Sequence, residues 1–309
     1  MEGVESEPLA DAFRAAHDAM AATFQITIAG ADARYAAQAA AAAFERIDAI
    51  EGELSRFIPS SDTARLNRQA PGAPLRIGAA TVECLALAAR IGAETGGAFD
   101  AAAGALIELW NRGAPSAEEL AAARAAAGSH LLSLDPEAHT ATAAVAGLRV
   151  DLGGIGKGYA ADAAAALLAD WGLAHALVNA GGSSLRATGA PPNSPGWPLF
   201  FPHPAGGGRR LGALRFADGG VSGSGVKKGA HIIDPRTGVP AAGTRAAWAA
   251  APTAAEADAL STAFMVMAPG EVERFCAGRA DIAALLLAGP ADAEIEGTYR
   301  FGAFFGNIL

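Results

Sequence analysis

The pattern of apolar and polar positions predicts a mixture of strands and helices along the chain. Residues 23–28 alternate apolar and polar side chains, which is typical of a half-buried strand. A long alanine-rich helix is predicted to begin after Asp32, because aspartate is a favoured N-cap residue. Apolar residues recur at helical spacing along one face of that helix: Phe44, Ile47, Ile50 and Leu54.

Capping and turn residues mark where further elements begin and end. A helix over 79–94 is expected to stop at a Gly-Gly pair, and Ser116 with Glu119 forms the capping box of a helix over 117–126. The other predicted helices cover about a dozen residues after the glycine-rich stretch 153–158, then 254–267 and 270–278. Further strands are predicted at 148–152, 176–179, 211–216 and 282–287.

Two stretches are rich in turn-forming residues. Prolines and glycines over 187–210 predict loops around an edge hairpin, and 219–244 is also turn-rich. Within the second stretch, residues 221–225 together with Lys227 and Lys228 predict a flexible polar loop that closes over a ligand.

The order of these elements predicts the fold class. Helices and strands mix without strict βαβ alternation, which favours an α+β protein with mixed or antiparallel sheets packed with helices. Residues 1–19 are predicted to be a helical or disordered lead-in. Residues 20–309 are predicted to form a single domain, or two intimately packed subdomains.

Composition and charge narrow the function classes. A net charge of −9 argues against nucleic acid or an anionic membrane surface as the main partner, although it permits a local cationic pocket. No apolar run reaches the ~20 residues needed to cross a bilayer. The acidic N-terminus lacks signal-peptide features, so a cytoplasmic location is expected, or a periplasmic one if a leader was removed. Cys84 and Cys276 lie in apolar helical contexts and are expected to be buried free thiols.

The segment 151–158, DLGGIGKG, is the first candidate for chemistry. A glycine turn between a strand and a helix aims backbone N–H groups and the positive helix end at a phosphate. The segment is neither a Walker motif nor a Rossmann fingerprint, which would need glycine where Tyr159 stands. Lys157 adds an ammonium group suited to a pyrophosphate; the alternative is a tight turn with a surface lysine.

Two further segments carry residue types suited to catalysis. In HIIDPRTGVP (231–240) the Asp-Pro-Arg-Thr-Gly run predicts a turn, but a turn does not require His231, whose side chain suits a general base. Asp258 and Thr262 have i, i+4 spacing, which puts two oxygens on one helix face as a start for a hard-cation site. A structural histidine and an ordinary first-turn helix acid remain the alternatives.

In combination, the segments resemble the FAD:protein FMN transferase family, often called the ApbE family. The resemblance runs from about residue 20 to residue 268. It rests on the order of these motifs: Met20-Ala21-Ala22-Thr23, LSRFIPSSD (54–62), GGAFD (96–100), DLGGIGKGYAAD (151–162), NAGGS (179–183), HIIDPRTGVP (231–240) and ADALSTA (257–263).

The resemblance implies an ApbE-like flavin transferase fold and a reaction in which FAD is split and FMN is esterified to a Ser or Thr of an acceptor flavoprotein. It implies Mg²⁺ held by Asp258, Thr262 and the backbone carbonyl of Gly154. Lys157 would lie beside FAD, and His231 would contact FAD and take the acceptor hydroxyl's proton. The other residues implied to line the flavin or adenine pocket are Met20, Phe57, Ala98, Phe99 and Asp100.

Several positions depart from the family pattern. Phe57 stands where tyrosine is common, alanines occupy 101–102 in place of Pro and Thr, Ser183 replaces an aspartate, and the stretch between Ser222 and His231 is short. Two alternatives therefore stay open: an FAD pyrophosphatase that releases FMN and AMP, and a non-catalytic FAD-binding protein. The chain carries no obvious flavinylation motif of its own, so the acceptor is expected to be a separate protein.

Overall fold

The computed structural model describes residues 3–7, 9, 11–203, 210–226, 232–289 and 297–303. The helices within these residues are α1 (Ala33–Leu54), α2 (Asp62–Leu66), α3 (Ala79–Glu94), α4 (Gly104–Asn111), α5 (Ala117–Ala125), α6 (Gly156–Asp170), α7 (Ala254–Val266) and α8 (Pro269–Ala277). The strands up to residue 188 are β1 (Glu5–Ser6), β2 (Ala12–Ala19), β3 (Ala22–Ala29), β4 (Leu75–Arg76), β5 (Leu132–Asp135), β6 (Thr140–Ala143), β7 (Ala176–Ala180) and β8 (Ser184–Thr188). The later strands are β9 (Trp197–Pro202), β10 (Arg210–Phe216), β11 (Gly219–Gly225), β12 (Ile233–Asp234), β13 (Val239–Pro240), β14 (Thr244–Ala251), β15 (Ala283–Ala288) and β16 (Gly297–Phe301).

An eight-stranded sheet forms the centre of the fold. Its strand order is β16-β15-β14-β11-β8-β7-β3-β2, and every neighbouring pair is antiparallel. Small sheets of order β1-β9-β10 and β4-β6-β5 and the hairpin β12-β13 complete the architecture. The predicted α+β class with antiparallel sheets is confirmed.

Both faces of the central sheet are covered. On one face, Ile26 and Val178 belong to a core shared with α1, α6 and α7. On the other, Leu177 and Leu285 pack against Trp197 of the β1-β9-β10 sheet. Burial on both faces explains why β15 is a continuous apolar run rather than an alternating one.

The predicted helix caps are confirmed. Asp32 accepts a hydrogen bond from the Tyr35 N–H, and Ser116 with Glu119 forms a complete capping box. The apolar stripe predicted on α1 is buried, and α3 ends before Gly96 and Gly97, both at positive φ.

The expected helical or disordered lead-in over 1–19 is wrong for residues 12–19. Ala12–Ala19 is an edge strand that pairs along its whole length with β3. Its burial alternates along the strand, but four alanines hide that period in the sequence, because alanine contributes little contrast between faces. Alanine also favours helices, and the hairpin partner overrides that local preference.

Two other elements differ from the prediction. Residues 148–152 are not a strand, because their backbone bonds lie outside any ladder: Val150 exchanges both of its hydrogen bonds with the Asn67 side chain, and the Asp151 N–H donates to the Ala101 carbonyl. The predicted loop at 221–225 is instead part of β11, in the interior of the central sheet.

The N-terminal ends of α6 and α7 cap each other. The Asp162 carboxylate on α6 accepts the backbone N–H groups of Ala254 and Ala255 at 2.9 and 2.8 Å. In return, Asp258 on α7 accepts the Gly158 N–H at 3.1 Å. Each carboxylate accepts hydrogen bonds from N–H groups in the first turn of the other helix, which have no acceptor within that helix. These bonds fix the two helices against each other.

Replacing Asp162 with alanine is expected to lower the free energy of unfolding by about 1–3 kcal/mol, since two N–H groups at the start of α7 lose their acceptor. Burial raises the pKa of Asp162 to about 6, although the two N–H donors and Arg186 oppose it. Because the pKa of Asp162 is higher in the folded state than in the unfolded state, binding of this proton stabilises the fold. This contribution is fully present below pH ~4 and is lost as the pH rises through about 6. Denaturant unfolding at pH 4.5 and 7.5 should therefore show the larger loss at pH 4.5; an equal loss at both values would contradict the raised pKa.

Candidate functional site

The glycine turn before α6 is anchored at its first residue. Asp151 accepts the Gly153 N–H at 2.8 Å and forms an ion pair with Arg56 at 3.0 Å through its other oxygen. The helix begins at Gly156, behind Ile155, which provides no side-chain cap. The positive end of the α6 dipole is therefore next to the turn, in the arrangement suited to an anion.

Asp258 and Thr262 project from α7 toward this turn. The Asp258 side chain is almost fully buried, at 3% exposure, and its Oδ2 lies 3.8 Å from Lys157 Nζ. Lys157 Nζ also donates to the Gly153 carbonyl at 3.2 Å. The Thr262 hydroxyl lies close to the Gly154 backbone, since a Cβ added to Gly154 would lie 3.2 Å from Thr262 Oγ1. The structure thus brings together four residues that are up to 108 positions apart in sequence.

These residues fit a magnesium ion that takes most of its ligands from phosphate and water. Asp258 and Thr262 offer a carboxylate and a hydroxyl on one helix face, and Gly154 adds backbone close by, so the donor set is all oxygen. Among the described residues no group of three or more His, Cys, Asp or Glu side chains could hold a metal alone. A single buried carboxylate is consistent with a cation that arrives with a phosphorylated ligand.

Serine hydroxyls on β11 support the α7 residues, and the sequence interpretation missed them. Ser222 Oγ bonds Ser184 Oγ at 2.7 Å and lies 3.4 Å from Asp258 Oδ1. Ser224 Oγ lies 3.4 Å from Thr262 Oγ1. The signal available in the sequence was the serine–glycine alternation over 222–225, which resembles a loop but also places both hydroxyls on one face of a strand.

Met20 and Phe57 occupy the surroundings of the glycine turn. Met20 opens the two-residue β2–β3 turn at a positive φ of 53°, and its Cε would lie 3.3 Å from a Cβ on Gly156. Phe57 is 80% exposed, with the Arg56 guanidinium 4.8 Å from its ring centre. An aromatic ring left this exposed is a surface available for stacking.

The segment Ala98–Asp100 approaches the glycine turn through the Phe99 ring. Phe99 is buried, with its ring edge 3.2 Å from a Cβ placed on Gly154, and Ala98 is buried as well. The Asp100 carboxylate already accepts the Ala102 and Ser129 N–H groups, each at 2.8 Å, and the Ser129 hydroxyl. Asp100 therefore holds this loop in shape, and only part of its acceptor capacity is left for a ligand.

The alanines at 101–102 border a small apolar cavity. It has a volume of about 40 Å³ and is lined by Leu85, Ala88, Ala89, Ala101, Ala102, Ser129, Leu132 and Leu134. The Ala101 and Ala102 side chains are small and form part of the cavity wall.

His231, Lys227 and Lys228 lie outside the described residues. The turn that follows His231 is described from residue 232 onward and forms the β12-β13 hairpin. Trp110 Nε1 donates to the Gly238 carbonyl at 2.8 Å and ties this hairpin to α4.

Cys84, Cys276 and Tyr159 are each held in the neutral form. Burial raises the pKa of the Cys84 thiol well above its ordinary value and that of Cys276 to about 12. Both thiols are free and buried, as predicted. Burial, followed by the hydrogen bond to Glu83, raises the pKa of Tyr159. None of these three groups is a nucleophile near neutral pH.

Fold and site together define an α+β protein in which a glycine turn, a lysine and the helix face carrying Asp258 and Thr262 meet on one face of an antiparallel sheet. Residues 20–286 match the model of the ApbE family. The chain belongs to this family. None of the helices within the described segments is long and apolar enough to span a membrane.

Individual relatives agree with the family assignment. The chain is 32% identical over 268 residues to the FAD:protein FMN transferase of Salmonella typhimurium, covering 80% of this chain and 76% of that protein. It is 31% identical over 275 residues to the enzyme of the same name from Klebsiella pneumoniae, covering 82% and 78%. The crystal structure of Pseudomonas stutzeri flavinyl transferase ApbE in its apo form superposes with a TM-score of 0.82 at 27% identity, covering 96% of each chain.

Proposed function

We propose that this chain is a magnesium-dependent FAD:protein FMN transferase. The observation that carries the proposal is the convergence of Lys157, Asp258 and Thr262 on the glycine turn, beside the start of α6, where Ile155 provides no side-chain cap. This arrangement supplies positive charge and hard oxygen ligands at one point, which is what a reaction at a pyrophosphate needs. The names of the relatives support the same activity.

The proposed reaction transfers the FMN half of FAD. The hydroxyl oxygen of a Ser or Thr on an acceptor flavoprotein attacks the phosphorus of the FMN half and forms a new P–O bond. The P–O bond to the AMP phosphate breaks, and AMP leaves with its electron pair. The hydroxyl proton passes to His231, a residue type suited to a general base near neutral pH.

The chain's own residues hold and orient FAD. The pyrophosphate faces the start of α6 and Lys157. The flavin or adenine is bordered by the exposed Phe57 ring, by Met20 and by the segment Ala98–Asp100. Asp258, Thr262 and the Gly154 carbonyl would hold magnesium, which supplies charge neutralisation at the pyrophosphate oxygens when bound.

Replacing Lys157 with glutamine is expected to raise the Kd for FAD roughly 10- to 100-fold, because a charge-assisted hydrogen bond is worth about 1.5–3 kcal/mol. Glutamine keeps an N–H donor at the end of the side chain but removes the positive charge beside Asp258. Quenching of flavin fluorescence on binding measures the Kd. The matched control is Arg14→Gln on the exposed edge strand β2, which should leave the Kd unchanged; a wild-type Kd for Lys157→Gln would remove Lys157 from the FAD site.

Incubation with FAD and Mg²⁺ separates the proposed activity from its alternatives. Two reactions are compared, one with and one without the flavin-free acceptor domain of a covalent flavoprotein, and AMP, FMN and FAD are quantified in each. AMP release that requires the acceptor supports transfer. FMN and AMP released equally without acceptor identify a pyrophosphatase, and unchanged FAD bound to the protein identifies a non-catalytic FAD-binding protein.

A further inference from the structure

The loop after α1 fixes the backbone of Phe57 and leaves its ring exposed. The Ser55 hydroxyl accepts the Phe57 N–H at 3.3 Å, and the Ser55 carbonyl accepts the Ser61 hydroxyl. The Ser61 N–H in turn donates to the Ile58 carbonyl at 3.0 Å. The Phe57 ring itself is 80% exposed. Because the backbone is held on both sides, the direction of the ring depends on what its side chain contacts.

Arg56 supplies a contact to one face of this ring. The guanidinium carbon of Arg56 lies over the Phe57 ring, 4.8 Å from its centre. Arginine stacks on aromatic faces because its guanidinium is planar and more weakly hydrated than an ammonium group. With the guanidinium against one face of the ring, the opposite face is left for a planar ligand.

Asp151 fixes the guanidinium in this place. Arg56 Nη1 lies 3.0 Å from Asp151 Oδ2, and the two side chains are only 21% and 14% exposed. Solvent and salt screen an ion pair of this kind less than a fully exposed one. The other Asp151 oxygen accepts the Gly153 N–H at 2.8 Å, so the carboxylate is part of the glycine turn. The Arg56 guanidinium therefore joins the Phe57 ring to that turn.

We propose that Arg56 is a positioning residue of the FAD site, which holds the Phe57 ring so that its open face receives the flavin or adenine of the ligand. The inference rests on the FAD site of the proposed function, because it gives Phe57 a ring of FAD to stack on. A phenyl ring that rotates freely loses this freedom when a ligand stacks on it, and the loss lowers the affinity. Arg56 orders the ring before FAD binds, so that binding avoids much of this entropic cost.

The test measures the Kd for FAD in four forms of the chain: wild type, Arg56→Gln, Phe57→Leu and the double variant. Flavin fluorescence reports binding, and acceptor and Mg²⁺ are left out so that FAD is not consumed. About 0.5 M NaCl screens the effect of charge beyond a few ångström.

We expect Arg56→Gln to raise the Kd for FAD roughly 3- to 10-fold, the effect of having to order one side chain on binding. In the Phe57→Leu background the same substitution should change the Kd by less than about twofold, because the ring through which Arg56 acts is absent.

Arg210 offers a matched control on the other face of the central sheet. Its guanidinium carbon lies 3.7 Å from the centre of the Phe200 ring, and its Nη1 lies 3.3 Å from Glu7 Oε1. These are the same two kinds of contact, but they belong to the region of the β1-β9-β10 sheet. Arg210→Gln should leave the Kd for FAD unchanged.

Thermal unfolding shows whether each variant is folded. If Arg56→Gln is not, Arg56→Lys takes its place in the comparison, because lysine keeps the charge beside Asp151 but has no planar group to cover the ring.

A wild-type Kd for FAD in Arg56→Gln would overturn the inference. An equal rise of the Kd in both backgrounds would also overturn it, because Arg56 would then act on FAD without Phe57, and so would an equal rise in Arg210→Gln. A wild-type chain that binds no FAD contradicts the proposed function and the inference with it. A wild-type chain that binds FAD but transfers no FMN contradicts the proposed function alone, since the four Kd values still decide the inference.

Discussion

Replacing Asp258 with asparagine is expected to lower FMN transfer by about 100-fold or more and to remove its response to Mg²⁺. Asparagine has nearly the same shape and can still accept the Gly158 N–H, so the α6–α7 contact is retained. The negative charge is lost, and with it the only carboxylate of the proposed magnesium site. The initial rate of acceptor flavinylation, measured over a series of Mg²⁺ concentrations, gives both effects.

A second buried acid on the same helix provides the control. Glu256 is also almost fully buried, but its carboxylate pairs with Arg90 and Arg279 on the side away from the glycine turn. Glu256→Gln should reduce stability and leave the Mg²⁺ response unchanged. Binding of Mn²⁺ followed by electron paramagnetic resonance supplies a readout independent of turnover. Wild-type rates and an unchanged Mg²⁺ midpoint in Asp258→Asn would exclude this residue from a metal site.

Replacing His231 with alanine is expected to lower the transfer rate by about 10²- to 10⁴-fold, the range typical of a lost general base. FAD and Mg²⁺ binding should change far less than the rate, because the charges that hold the pyrophosphate are on other elements. The remaining rate should also lose the dependence on pH near neutrality that a histidine base imposes. A pH–rate profile of kcat for both proteins measures the effect.

The control for this substitution is another histidine, His17 on β2, which pairs with Asp48 away from the glycine turn. His17→Ala should keep the wild-type rate and pH profile. If His231→Ala flavinylates the acceptor as fast as wild type, the general base is a different group. If it loses FAD binding in proportion to the rate, His231 belongs to the binding pocket and not to proton transfer.

Local sequence patterns were sufficient to predict the elements that are determined by periodic burial or by a capping motif. The stripe on α1 and the capping box of α5 were predictable, because each is determined by residues a few positions apart. β11 was not predictable in this way. Its serines look like loop residues, and the partners of the buried Ser222 hydroxyl are the Ser183 carbonyl, Ser184 on β8 and Asp258 on α7, each more than 30 positions away.

In the candidate site, too, the sequence motifs predicted the residues but not how they pack together. Motif order along the chain was enough to select Gly154, Asp258 and Thr262, but their closeness follows from the packing of α6 on α7. That packing depends on a glycine: a Cβ on Gly158 would lie 2.2 Å from the Ala254 carbonyl oxygen. The contacts of Arg236 with Val266 and Glu271 were equally hidden, since Asp-Pro-Arg-Thr-Gly already accounts for a turn without any contact to a helix end.

The most direct test of the central claim is mass spectrometry of the flavin-free acceptor domain after incubation with this chain, FAD and Mg²⁺. The account predicts a single added FMN phosphoryl group on a Ser or Thr of the acceptor, with one AMP released for each adduct. An acceptor of unchanged mass beside free FMN and AMP, or beside intact FAD, would contradict it.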